Sequence, residues 1–239
     1  MPKFFCASDA HGYFDELKAG LDKAGFEPDN KDHWFVSCGD ALDRGGQPKE
    51  MLDFLMGLPQ KILIRGNHEV LMDQMLVRGF PIDRDYHNRT LDTLQDLTEG
   101  KRLNRGQRWE ECRRIFYPYM GETRFFFETQ HYIFTHAWLP TQCPNGWRMG
   151  DFFEWENAIW RNPLKAARLK EVNIGKTVVS GHITSSYAWN GPGKEFDPNS
   201  KFEPYYYEDK LIMLDSGTPV SHKVNVVVLE DDFIPGNLP

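Results

Sequence analysis

Three apolar runs near the start of the chain, "KFFCAS", "HWFVSCGD" and "KILIRG", are separated by two segments with helical spacing, "YFDELKAGLDKAG" and "PKEMLDFLMGL". Short apolar runs bounded by polar residues suit buried strands, and recurrence every three to four positions suits amphipathic helices. The first helix should stop at Gly25, and Pro48 suits the first turn of the second. Strand, helix, strand in succession needs crossover connections, which lay the strands side by side in parallel. The expectation is therefore an α/β fold.

The rest of the chain adds to that frame. From about residue 70 to 121 the sequence is polar, charged and helix-prone ("LDTLQDLTEGKRLNRGQRWEECRRIF"), as expected of a helical insertion over the core. "TRFFFETQHYIFTHAW" reads as a hairpin of two strands, and "KTVVSGH", "KLIMLDSG" and "KVNVVVLEDD" as three more. "NGPGKEFDPNSKFEP" reads as a long surface loop, "PYYYE" as packing or a loop rim, and the acidic "EDD" as a solvated strand end. No repeat or low-complexity linker interrupts the 239 residues, so 1–239 is expected to be one domain.

Composition narrows the function classes. With 40% apolar and 26% charged residues the chain is an ordinary globular sequence, and a formal net charge of −7 argues against a general nucleic-acid binder. The short apolar run at the N-terminus meets Asp9, too soon for a signal peptide, and no stretch approaches membrane-span length. Cys6, Cys38, Cys112 and Cys143 show no C-x-x-C spacing and read as reduced structural thiols, which points to a cytoplasmic protein.

One chemistry recurs where apolar runs end: "SDAH", "CGDALD", "RGNHE", "THA" and "SGH". In α/β sheets ligands bind beyond the carboxyl ends of strands, so shared chemistry there suggests one site. Asp9 and His11, two apart, would point the same way on extended backbone. With Asp40, Asn67, His68, His136 and His182 they form a carboxylate, carboxamide and imidazole set that suits Mn²⁺, Fe or Zn²⁺. It is too large for one tetrahedral site, and two ions sharing a carboxylate would use all of it. Each piece alone has a plainer reading: "DAH" as polar loop, Asn67 and Glu69 as a helix start, His136 as a core histidine. His33, His87, His131 and His222 have no such company and read as ordinary.

Taken in order, "SDAHG", "GDALDRG", "RGNHE", "THA" and "SGH" resemble the calcineurin-like metallophosphoesterases. Within them they resemble most the phosphoprotein phosphatase branch, with its small bacterial and phage serine/threonine phosphatases and its symmetrical diadenosine tetraphosphatases. "LDSG" is similar to the "IDTG" common near the end of such chains. The resemblance implies a four-layer αββα sandwich, two mixed sheets flanked by helices. It implies one divalent ion on Asp9, His11 and Asp40 and a second on Asp40, Asn67, His136 and His182, with Asp40 bridging ions about 3.5–4 Å apart. It further implies in-line attack on phosphorus by a hydroxide between the ions, phosphate binding by Arg44, and proton donation by His68. Asp43 would orient that imidazole. Arg161, in "AIWRNP", would touch substrate, and Arg65 would support the site from behind its ligands.

The pattern also departs from the family. Ala10 replaces an aliphatic residue, and Trp138 stands where bacterial members carry the glycine of "HAG", placed to narrow the site mouth. Thr184 stands where nuclease-like branches have a further histidine, which favours the phosphatases. Three functions follow as expectations. The first is a Mn²⁺-dependent phosphatase acting on phosphoserine or phosphothreonine proteins and small phosphoesters. The second is hydrolysis of dinucleoside polyphosphates, with Trp138, Trp147 and insertion arginines (Arg102, Arg105, Arg108, Arg113, Arg114) available to grip the nucleotide. The third is a non-catalytic metal-binding scaffold, disfavoured because the full residue set is retained.

Overall fold

Phe4 and Cys6 point to one side of the first strand and Phe5 and Ala7 to the other, and all four are buried. A strand covered on both faces must lie inside a layered structure. The computed structural model, which describes residues 1–141, 146–170, 174–191 and 197–235, places it at the middle of the first of two sheets.

That strand, β1 (Lys3–Ala7), is followed by α1 (Phe14–Ala24), β2 (His33–Ser37), α2 (Pro48–Gly57) and β3 (Lys61–Leu63). Gly25 ends α1 in the left-handed conformation at φ 79°, and Pro48 opens α2. Both crossovers deliver parallel neighbours, Phe5 beside Phe35 and Val36 beside Ile62. Four helices come next: α3 (Asn67–Arg78), α4 (Asp83–His87), α5 (Thr90–Leu97) and α6 (Arg105–Glu122). The chain then enters an antiparallel hairpin, β4 (Phe126–Glu128) and β5 (Tyr132–Thr135), with Phe127 opposite Phe134. After α7 (Phe152–Ala158) and α8 (Pro163–Leu169) come β6 (Thr177–Ser180), α9 (Ser186–Asn190), β7 (Tyr205–Tyr207), β8 (Leu211–Met213), α10 (Thr218–Ser221) and β9 (Val227–Glu230).

The strands form two mixed sheets, ordered β3-β2-β1-β9 and β4-β5-β6-β8-β7. Period-two alternation gives each strand an inner and an outer face. Inner residues Phe4, Cys6, Val36 and Ile62 of one sheet meet Phe134, Val179 and Ile212 of the other. The outer face of the first sheet packs Phe5, Ala7 and Phe35 against α1, α2, α5 and α6 through Leu17, Leu55, Leu94 and Phe116. The outer face of the second packs Ile133, Val178 and Met213 under Trp155 and Leu164 of α7 and α8. Helix, sheet, sheet, helix is the four-layer αββα sandwich expected from the sequence.

Some local expectations need correction. "PYYYE" packs, as one of its two readings had it, with Tyr205 and Tyr207 against the cluster beneath α7 and α8, but as β7, a three-residue edge strand antiparallel to β8, and not as a loop rim; so short a run carries almost no periodicity. Asp231 is buried rather than solvated, and accepts hydrogen bonds from the His131 backbone N–H (2.8 Å) and ring Nδ1 (2.7 Å). Trp138 and Trp147 do not face a mouth, for both are buried in the cluster beneath α7 and α8. A large apolar ring two residues beyond His136 gains more from that core than from solvent. Cys6, Cys38 and Cys112 are buried free thiols, while Cys143 lies outside the described residues, as does part of the 190–204 loop. Among the described residues no helix is long and apolar enough to cross a membrane.

Candidate metal centre

The strand ends of both sheets converge, but on bent rather than extended backbone. Asp9, His11, Asp40, Asp43, Arg44 and His182 all have φ between 48° and 69°. Asp9 and His11 thus reach the site through left-handed turns, not through the strand alternation the sequence suggested, because β1 ends at Ala7. Glycines let the turns approach. A Cβ on Gly66 would lie 2.1 Å from Asp40 Oδ1, and one on Gly181 would lie 2.0 Å from Asp9 Oδ2.

At the centre stands Asp40, whose Oδ1 accepts the His68 backbone N–H at 2.9 Å. Its Oδ2 is 3.5 Å from His136 Nε2, 3.9 Å from His11 Nε2 and 4.0 Å from His68 Nε2. Burial works against ionisation of Asp40, but the imidazoles of His136, His68 and His11 outweigh it and hold the carboxyl well below its ordinary range. On one side, Asn67 Oδ1 lies 2.8 Å from both His136 Nε2 and His182 Nδ1. On the other, Arg44 rests its Nη1 3.0 Å from His11 Nε2 and its Nη2 3.1 Å from His68 Nε2. His68 Nδ1 is 2.8 Å from Asp43 Oδ2.

The tautomers follow from the far side of each ring. A carbonyl oxygen can only accept, so His11 Nδ1 carries the proton it gives to Leu42 O (2.9 Å), and His136 Nδ1 the one it gives to Cys38 O (2.8 Å). His182 hydrogen-bonds the Trp160 backbone. One lone pair per ring is left facing inward, the arrangement of imidazoles held by peptide groups behind a metal. Burial, then His68 and Arg44, push the His11 imidazolium down, and burial with His136 lowers His182 to about 4. Both rings are therefore neutral donors at physiological pH.

The carboxylates fit a cationic occupant too. Burial, then Asp215 and Asp40, raise Asp9 well above its ordinary value, and burial raises Asp215 to about 6. Crowded buried carboxylates of this kind are costly without positive charge among them. Among the described residues, two sets of side chains bring ligand atoms together closely enough for one ion: His11, Asp40 and His68, and Asp40, His136 and His182. Asp40 belongs to both. Asp9 stands beside the centre with Oδ2 taken up by Ser8 Oγ (2.5 Å) and the His182 N–H (2.9 Å).

The remaining candidates lie further out. Arg65 gives its donors to Thr123 Oγ1 (2.9 Å) and the Met120 carbonyl (3.2 Å) and stacks on Phe125, which pins the end of β3 to the end of α6. Arg161 reaches Thr141 Oγ1 at 2.5 Å. Of the insertion arginines, Arg113 bonds Glu110 of its own helix and the Leu76 carbonyl of α3, Arg114 bonds Glu111, and Arg105 lies over the Trp109 ring. Three participants escaped the sequence reading. Glu69 accepts the N–H groups of Gly66, Asp40 and Ala41 at 2.8–2.9 Å and so ties α3 to the loop after β2. Asp215 was visible only as part of "LDSG". Trp160 is 45% exposed with its ring centroid 6.1 Å from that of His182, and its signal was simply its place before Arg161.

Comparison with known proteins agrees with this geometry. Two curated relatives are both named symmetrical bis(5'-nucleosyl)-tetraphosphatase. The one from Erwinia tasmaniensis is 31% identical over 106 residues, 44% of this chain and 36% of that protein. The one from Pseudomonas fluorescens is 25% identical over 139 residues, 58% and 42% respectively. The chain thus spans about two fifths of the length of the curated relatives it matches. A solved structure described provisionally as a diadenosine tetraphosphatase superposes with a TM-score of 0.61 at 15% identity, covering 100% of this chain and 93% of that one, which is likeness of fold. Residues 2–213 match the calcineurin-like phosphoesterase pattern, and the chain belongs to that family.

Proposed function

We propose that this chain is a metal-dependent phosphoester hydrolase whose preferred substrate is a dinucleoside polyphosphate. The observation that carries the first part is the convergence of inward-facing imidazole lone pairs on Asp40 and Asn67, beside the His68–Asp43 pair and Arg44. His11 and Asp40, with Asp9 adjacent, would hold one divalent ion, and Asp40, Asn67, His136 and His182 the other. The hard and borderline donors suit Mn²⁺, with Fe or Zn²⁺ also compatible. When bound, such ions supply charge stabilisation for a phosphoryl group and acidify water to near neutrality.

The chain's own residues supply the rest. The Arg44 guanidinium is a planar fork that matches two phosphoryl oxygens, and a dianion would draw it from its contacts with His11 and His68. His68 stands ready to protonate the departing oxygen. Burial disfavours its imidazolium, but Asp40 and the hydrogen bond to Asp43 outweigh burial and raise the ring above its ordinary value. Asp43 fixes the ring through Nδ1 and leaves Nε2 directed at Arg44, where the substrate would lie.

Two things support a nucleotide. The matched relatives are named for bis(5'-nucleosyl)-tetraphosphates, and the half-exposed Trp160 ring beside His182 offers a base a flat surface. A phosphoserine or phosphothreonine protein would use the same centre. Measured kcat/KM for diadenosine tetraphosphate and a phosphopeptide, each with Mn²⁺, separates them. Preference for the dinucleotide, with ADP as the product, is expected. Preference for the phosphopeptide would replace this substrate. A metal-loaded sample inert toward every phosphoester would leave only the scaffold reading.

A further inference from the structure

The carboxylate of Asp43 is fully buried, and three donors from elsewhere in the chain reach it. His68 Nδ1 and Thr90 Oγ1 share Oδ2, at 2.8 and 2.9 Å, and Thr93 Oγ1 takes Oδ1 at 3.1 Å. Both threonines are fully buried. They stand three apart on α5 and so present their hydroxyls on one helix face. Arg89, just before them, donates from Nη1 to the Arg44 carbonyl at 2.9 Å. The first turns of α5 therefore clasp the Asp43–Arg44 loop where both loop residues have left-handed backbone, φ 69°.

We infer that Thr90 and Thr93 are positioning residues that fix the Asp43 carboxylate and, through it, the direction in which His68 presents its proton. The torsion that turns a carboxylate about its last bond is soft. A carboxylate held at one oxygen by an imidazole can swing and carry the ring with it. Donors on both oxygens remove that freedom. In a buried pocket no water replaces a lost donor, so its removal leaves an acceptor unpaired and the group free to seek another partner. A displacement of about 1 Å at a reacting group costs on the order of 10²-fold in rate. The inference rests on the reading of His68 as the proton donor.

The test compares leaving groups. An alkoxide needs the proton and a nitrophenolate does not, so faulty proton delivery slows an alkyl phosphate and spares p-nitrophenyl phosphate. His68→Asn serves as reference, with an expected loss of about 10²–10⁴-fold on the alkyl ester and little on the aryl ester. The double variant Thr90→Val/Thr93→Val keeps the side-chain shape and removes both donors. Its expected loss is roughly 10- to 100-fold in kcat on the alkyl ester, at unchanged KM and unchanged Mn²⁺ content, and under about threefold on the aryl ester. Thr90→Ser/Thr93→Ser should restore the rate. Should the double valine variant not fold, the single variants are read the same way with smaller losses. A selective His68→Asn beside a double variant that loses nothing, or loses equally on both esters, would overturn the positioning role alone. A His68→Asn that slows both esters equally would remove the proton-donor reading and this inference with it.

Discussion

The backbone N–H of His182 donates to Asp9 Oδ2 at 2.9 Å, across 173 positions of sequence. It joins the loop beyond β6 of one sheet to the loop beyond β1 of the other, so the two halves of the sandwich meet inside the metal centre. Gly181 makes the approach possible: a Cβ there would lie 2.0 Å from both Asp9 Oδ2 and Ser8 Oγ. Gly181→Ala is expected to cost about 1–3 kcal/mol through overpacking and to weaken Mn²⁺ binding. Denaturant midpoints and metal titration measure both, and an unchanged midpoint would show that the seam yields freely.

Asp40→Asn keeps the shape of the side chain and removes the charge common to both ligand sets. Turnover should fall by more than about two orders of magnitude, with metal content lowered at both positions. Elemental analysis decides it. A variant that retained both ions would make Asp40 a hydrogen-bonding residue for the His68 N–H and little more.

Acid sensitivity should be traceable to Glu128, far from the centre. Burial opposes its ionisation, but Arg148 (2.7 Å) and Lys176 (3.0 Å) outweigh that and hold the carboxyl below its ordinary range. A folded value below the unfolded one means the unfolded chain takes up the proton first on acidification. The stabilisation is thus complete above the ordinary glutamate range and disappears as pH falls through the folded value. Glu128→Gln should be less stable than the parent at pH 7, on the order of 1 kcal/mol because Arg148 is half exposed, and the difference should shrink as pH falls below the ordinary glutamate range and close once the folded carboxyl is protonated. A gap that persisted in acid would assign the effect to packing.

Trp160→Ala should lower kcat/KM for diadenosine tetraphosphate by roughly 5- to 100-fold, as loss of one stacked base would. Inorganic tripolyphosphate and p-nitrophenyl phosphate should be affected little. Equal losses on all three would show that the ring serves only to hold His182.

Much of this was legible in the primary sequence, for definable reasons. The succession β1-α1-β2-α2-β3 could be read because its periods differ sharply and Gly25 and Pro48 punctuate it. The candidate ligands stood out because charged and titratable residues recur where apolar runs end. Other features have no one-dimensional signature. Thr90 and Thr93 look like ordinary polar positions of an amphipathic helix, and only the packing of α5 on the Asp43 loop gives them a partner. Trp138, after β5, and Trp160, between α7 and α8, are the same residue type. Which is buried and which half exposed depends on the cover given by α7 and α8. Asp231 looked solvated because the sequence cannot show that the His131 backbone N–H and ring hydrogen-bond to it.

Six side chains of the centre, on Asp9, His11, Asp40, Asp43, Arg44 and His182, hang from backbone in a basin that L-residues avoid. Each such position costs about 1–3 kcal/mol and persists only because the surrounding layers over-determine it. The rim of the candidate centre is accordingly where this molecule is least at rest. Selection for thermal robustness alone should drift toward glycine or asparagine at these positions, gaining a tougher protein and losing the cluster of ligand side chains.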